Sequence, residues 1–97
     1  MKVIWSPTAR NKTKEILEYI SKDNPDAALA LIDLIEEKVE KLKQNPASGR
    51  VFQPTKNDKI REIVVHVNYG VIYEVNDSLI EILTVRHFRQ DLSDYEL

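Results

Sequence analysis

No cysteine occurs in the 97 residues of this chain. That excludes a disulfide framework and a thiolate metal site, and nothing calls for an oxidising compartment. A long apolar run is missing too. Met1-Lys2-Val3-Ile4-Trp5 is too short for a signal peptide, and no uninterrupted apolar stretch approaches the ~20 residues of a membrane span. Composition thus predicts a soluble cytoplasmic protein with no membrane partner, no cofactor and no metal. A basic excess is also absent. Lys and Arg number 14 against 16 Asp and Glu, a net charge of −2, whereas stand-alone nucleic-acid binders carry a strong positive balance. Sequence-specific nucleic-acid binding by this chain alone is not expected. Lys56, Lys59, Arg61, Arg86 and Arg89 do gather in the second half, and two readings stay open: a local basic patch, or scattered solvated charges. Repeats, low-complexity segments and linkers are lacking. Residues 1–97 therefore read as one domain with a single core, leaving roughly a third of the unfolded chain's surface wet.

What is present is clear punctuation. Ser6-Pro7 is an N-cap followed by proline at the first helical position, where a missing amide proton costs nothing. The helix that follows places Ala9, Ile16, Leu17 and Ile20 on one stripe and ends near Lys22. Asn24-Pro25 repeats the signal. The second helix carries Ala28, Leu31, Ile32, Ile35, Val39 and Leu42 at helical spacing, covers its outer side with Glu and Lys, and stops at Asn45-Pro46. From Pro46 to Lys59 the chain is polar and without period, so a loop is expected, with Gly49 supplying a positive φ. Three strands follow: 60–67, 69–75 and 79–85, rich in β-branched and aromatic residues. Asn68 and Asn76-Asp77-Ser78 separate them, which predicts tight turns in left-handed backbone. With Met1–Trp5 as an opening strand, the order is strand, helical hairpin and three-stranded antiparallel meander, an α+β domain.

Several of these residues, in this order, resemble the RelE/ParE superfamily of bacterial toxins over nearly the whole chain. They are Trp5-Ser6-Pro7-x-Ala9, Tyr19-Ile20, Pro46-x-x-Gly49-Arg50, Arg61-Glu62-Ile63, Tyr69-x-x-Ile72-Tyr73-x-Val75 and Ile82-Leu83-x-Val85-x-His87-x-x-Gln90. The resemblance implies a helical hairpin on one side of a curved antiparallel sheet. Nuclease-type members cleave messenger RNA in the ribosome and place an arginine directly before the central strand's Leu/Val-x-Tyr stretch. Here that position is Gly70. Arg61–Val65 and Val85–Gln90 are more similar to the ParE branch, whose members are regarded as poisons of DNA gyrase.

Two chemistries follow for the candidate residues. RNA cleavage needs a base, an acid and a cation near the phosphorane; Arg61 and Arg86 are the cations, and His66, His87 or Glu62 the proton carriers. Each has a plainer alternative: Arg61 and Glu62 as neighbours on opposite sheet faces, His66 as a rim residue. The ParE resemblance implies a protein target, DNA gyrase, contacted by the tail from Arg86 onward. There Arg86, His87, Phe88, Arg89 and Tyr95 mix charge with aromatic surface suited to anchoring, while Phe88 and Leu92 have the alternative of closing the core. It also implies a cognate antitoxin, ParD-like or similar, that folds along the hairpin and a sheet edge. Tyr19, Ala27 and Ala30, with Ala28, form that groove or else serve close helix packing. A chain that binds its antitoxin without poisoning anything is the remaining possibility.

Overall fold

Ser6 sets the first corner of the chain. In the computed structural model, which describes residues 1–89, its hydroxyl oxygen accepts the amide proton of Ala9 at 3.0 Å and caps the helix that Pro7 opens. The elements are β1 (Lys2–Trp5), α1 (Pro7–Asp23), α2 (Pro25–Leu42), β2 (Arg50–Val51), β3 (Ile60–His66), β4 (Tyr69–Val75) and β5 (Leu79–His87), with single 3-10 turns at Pro46–Ser48 and Gln53–Thr55. Asn24 serves both helices. Its amide donates to the Ile20 carbonyl at 2.9 Å and closes α1, while its side-chain oxygen accepts from the Ala27 amide at 3.1 Å and opens α2. The hairpin therefore turns with no loop. No helix among the described residues is long and apolar enough to cross a membrane.

The sheet has the order β1-β5-β4-β3-β2. β3, β4 and β5 make the expected meander, but β1 makes the sheet mixed: it runs parallel to β5, Lys2 opposite Leu79 through Trp5 opposite Ile82. The connection after α2 is not wholly irregular either. Arg50 and Val51 pair with Glu62 and Arg61 as β2, a strand too short to show alternation in sequence. Both meander turns are tight, yet neither uses left-handed backbone, since among the described residues Lys56 alone has a positive φ, 55°. Side-chain and backbone bonds close them instead. His66 Nδ1 accepts the Asn68 amide at 3.1 Å, and the Asn76 amide donates to the Leu79 carbonyl at 2.9 Å.

The two sheet faces differ. Both helices cover one, where Ala9 of α1 and Leu31, Ile35, Val39 and Leu42 of α2 pack on Val65, Val71, Tyr73, Ile80, Ile82 and Val85. Ile16, Leu17 and Ile20 line the half-buried margin of that core. The other face holds a smaller cluster of Phe52, Ile60 and Ile72, with Leu83 against it. Between Ile82 and Thr84 the pairing with β4 slips by one residue, leaving Leu83 as a bulge. Ser6 donates its hydroxyl to the Leu83 carbonyl at 3.0 Å and its amide to the Ile82 carbonyl at 3.0 Å. The residue that caps α1 thus also ties its start to β5.

Candidate functional site

Strand alternation puts Arg61 and Glu62 on opposite faces of β3. Glu62 points away from the helices and is 2% exposed, a cost of several kcal/mol for a carboxylate unless it is fully paired. It is paired twice. Oε1 accepts from Nη2 of Arg50 at 3.0 Å and from Nη2 of Arg86 at 3.0 Å, while Oε2 accepts from Nε of Arg86. Arg86 is itself buried, its guanidinium between the rings of Phe52 and Phe88 at 5.5 and 5.0 Å from their centroids. Arg50 is the exposed member, reaching in from the sheet margin.

Arg86 lies on β5 and Glu62 on β3, with β4 between them. At the crossing stands Gly70, opposite Arg86 on one side and Val64 on the other. A Cβ there would sit 2.6 Å from Glu62 Oε2 and 3.0 Å from the Phe88 ring. The Glu62 carboxylate lies over the strand where a side chain is lacking, and Arg86 meets it there. Gly49 is also needed for space, contrary to the positive φ expected of it: its backbone is extended, φ −77° and ψ 159°. A Cβ would meet Tyr73 Oη at 2.5 Å and the Glu62 carbonyl at 2.8 Å.

Arg61 faces the helices and serves the connection after α2. It donates to the carbonyls of Gly49 at 2.7 Å and Ala47 at 3.5 Å. Fully buried Tyr73 completes the fastening: its hydroxyl donates to the Pro46 carbonyl at 2.8 Å and accepts the Gly49 amide at 2.9 Å. Burial pushes the Tyr73 phenol above its ordinary pKa, opposed by the Gly49 amide, the Arg61 charge and Ser48.

His87 is on the helix-side face, its ring edge-on to Tyr69 at 4.9 Å, and its Nδ1 accepts the Arg89 amide at 3.0 Å. His66 flanks Tyr69 from the other side, ring centroids 6.0 Å apart. Burial, and to a smaller extent nearby Tyr19, raises the Tyr69 pKa. The nuclease set of Arg61, Arg86 and His87 is therefore dispersed. Arg61 and His87 face the helices, Arg86 faces away, and Arg61 and Arg86 are each committed to a fold-holding bond. The second-half cations form no single patch, and Arg86, proposed from sequence as a contact residue, is interior. Phe88 is half-buried and Arg89 exposed; Gln90, Leu92 and Tyr95 lie outside the described residues. Among those described, no group of three or more His, Asp or Glu side chains could hold a metal ion.

The hairpin carries the apolar surface. Tyr19 is 73% and Leu29 60% exposed. Ala27 and Ala30 are exposed while Ala28 is buried, so only Ala28 serves close packing. Ala27 and Ala30 line a depression of about 310 Å³ with Ile20, Leu34, His66 and Tyr69, and Tyr19 lines a neighbouring one with Tyr69 and His87. A larger groove of about 650 Å³ opens between the helices over Trp5, Leu17, Ala28, Leu29 and Ile32, with Arg10 and Lys14 among its lining. Sequence reasoning passed over Leu29 and Ile32 as lining residues, although Leu29 lies off the buried stripe of α2 and that was the available signal. It gave Arg50 no role beyond its place in the Pro46-x-x-Gly49-Arg50 stretch and passed over Phe52, because a two-residue strand in a polar stretch gives no signal of its own.

A family model described as the ParE toxin of type II toxin–antitoxin systems, parDE, matches residues 3–92. The chain belongs to this ParE toxin family. A relative from Sinorhizobium fredii that carries a toxin name, Y4kP, is 37% identical over 90 residues, which is 92% of this chain and 90% of the relative. Toxin RelE2 of Caulobacter vibrioides is 31% identical over 85 residues, 88% of this chain and 92% of that one. Among solved structures, a chain of the chromosomal ParDE system from P. aeruginosa superposes with a TM-score of 0.74 at 23% identity, covering 90% of this chain and 95% of its own. A YoeB/ParE toxin from Agrobacterium tumefaciens gives 0.61 at 17% identity, covering 90% and 98%. At those identities the structures carry the ParE-type fold alone. The β-α-α-β-β-β order read from sequence is therefore the order of that fold, and this chain also carries the two-residue β2.

Proposed function

We propose that this chain is a toxin that binds DNA gyrase and stalls it without catalysing a reaction, and that a ParD-like antitoxin holds it inactive. One observation carries the reading. Arg86 is the one buried cation among the described residues; its guanidinium is committed to Glu62, and the Glu62 carboxylate with the Phe88 ring fills the space into which a side chain at position 70, where nuclease-type relatives place arginine, would project. A phosphorane needs a preorganised cation with an acid and a base within reach of one substrate; here Arg61 and His87 are on the opposite face. The near-neutral charge supports a protein target as well, since an RNA footprint would demand many phosphate contacts.

The antitoxin reading is supported by the hairpin's surface. Grooves with exposed Leu29 and Tyr19 suit an amphipathic segment that folds on contact. Ala27→Glu or Leu29→Glu is expected to weaken antitoxin binding tenfold or more, about 1.4 kcal/mol, with stalling of the target unchanged.

A purified supercoiling assay with gyrase, run beside a primed-ribosome cleavage assay, tests the mechanism. Inhibited supercoiling with intact transcript is expected; transcript scission would overturn the reading. The name of the Caulobacter relative, a RelE toxin, favours that runner-up, ribosome-dependent cleavage, and in that case Arg61→Ala, Arg86→Ala or His87→Ala would abolish cutting. Expressing the chain alone separates the remaining case. Filamentation with an SOS response favours gyrase, abrupt translation arrest favours the nuclease, and normal growth indicates a non-toxic partner or co-repressor.

A further inference from the structure

A buried ion pair at this place is not what stability alone would select. Glu62 and Arg86 share their sheet face with the cluster of Phe52, Ile60, Ile72 and Leu83, and Arg86 lies against Phe52 and Phe88; replacing such a pair by apolar residues of similar volume is often neutral or stabilising. A second cost comes with Gly70, because glycine inside a strand loses more entropy on folding and packs nothing. Both costs produce one thing, a fixed direction. The planar guanidinium meets the carboxylate through Nε and Nη2 together, which sets its plane as a single hydrogen bond would not.

That plane organises the end of β5. Phe88 stacks on the Arg86 guanidinium, and its amide donates to the Asn68 carbonyl at 2.9 Å. His87, on the other face, is held by Tyr69 and by the Arg89 amide. We infer that Glu62 is a positioning residue for target engagement: through Arg86 and across Gly70 it fixes Phe88, and with it the presentation of His87 and Arg89 where the chain leaves the sheet. The inference rests on the reading that this end of β5 meets the target. The inter-helix groove is built from other residues, Trp5, Leu17, Leu29 and Ile32 among them, so an antitoxin segment seated there does not depend on the pair, in contrast to the Tyr19 depression that His87 helps to line.

Glu62→Leu combined with Arg86→Met tests it, because the pair is then removed without stranding a charge. Thermal stability at or above that of the parent is expected, with antitoxin affinity within about twofold, while the concentration needed to stall gyrase rises tenfold or more. Side-chain NMR resonances of His87 and Phe88 should shift while those of the helices hold. Glu62→Gln, which keeps the shape and loses the charge, is expected to weaken stalling in the same direction. A double variant that stalls gyrase at the parent concentration overturns the inference, as does one whose antitoxin affinity and stalling fall in step. A parent chain that arrests growth but leaves gyrase untouched overturns the gyrase reading instead, and the same variants scored by growth arrest then decide the positioning role.

Discussion

The two faces of one sheet are stabilised differently. Toward the helices, apolar side chains from every long element interdigitate, and the buried Tyr73 hydroxyl is satisfied by two backbone partners. On the other face a small apolar cluster accompanies a carboxylate shared by two guanidiniums. The first face derives its stability from area, which tolerates approximate shapes. The second depends on a partner count, where losing one member strands the rest. A fold can be shared across a family through the first kind of face while the second is rewritten.

The sharpest way to break this comparison is to strand the charge. Glu62→Ala leaves Arg86 buried without its carboxylate and should cost about 4 kcal/mol in urea unfolding, whereas Glu62→Leu with Arg86→Met should cost near zero. A small cost for the single change would mean that the ion pair is well solvated in practice. On the helix-side face Ile82→Ala, at a fully buried position, should cost about 3 kcal/mol through lost transfer energy and cavity. No second substitution should restore it as the pair is restored, because an area deficit has no partner to remove.

Tyr73→Phe comes next. It leaves the Gly49 amide and the Pro46 carbonyl without their hydroxyl partner, an expected loss of about 2 kcal/mol read by thermal melting. Its pH dependence has a definite sign. Burial holds the folded-state pKa above tyrosine's ordinary 10.0, so the fold favours the neutral phenol. That contribution is complete below pH 10 and is lost as pH rises through the raised value. The parent should therefore lose stability above pH 10 more steeply than Tyr73→Phe, with Tyr69, shifted in the same direction, leaving part of the slope in both.

The helix-side face was legible in the sequence because its determinants are local and periodic. Ser6-Pro7 and Asn24-Pro25 announce two helices, the α2 stripe names buried residues, and three β-rich runs name the meander. The other face was not, because its determinants are distant and singular. Glu62 and Arg86 are 24 residues apart, on strands that do not touch, and the slot that joins them is visible only as a glycine where relatives of the nuclease type would carry arginine. Read alone, Gly70 looked like a loss; in the fold it leaves the room over β4 in which the Glu62 carboxylate meets Arg86. Gly49 misled for a related reason, since composition suggests torsional freedom and cannot show that Tyr73 Oη lies against the site. The parallel seating of β1 beside β5 has no local signature either.

The smallest effect concerns the segment that joins Phe52 to Ile60, two members of the second face's cluster. Between Phe52 and Ile60 the chain turns through Lys56, held at φ 55° with its amide donating to the Gln53 carbonyl at 3.1 Å. A lysine there bears the Cβ crowding of left-handed backbone, about 1 kcal/mol, which glycine escapes. Glycine brings back part of that sum as extra freedom in the unfolded chain. Lys56→Gly should therefore raise stability by only about 0.5 kcal/mol, a shift of a few degrees at most in a chain of this size. A destabilised Lys56→Gly would instead indicate that the exposed lysine's aliphatic stem packs on its own segment, and would move part of that face's stability from its ion pair to the connection between Phe52 and Ile60.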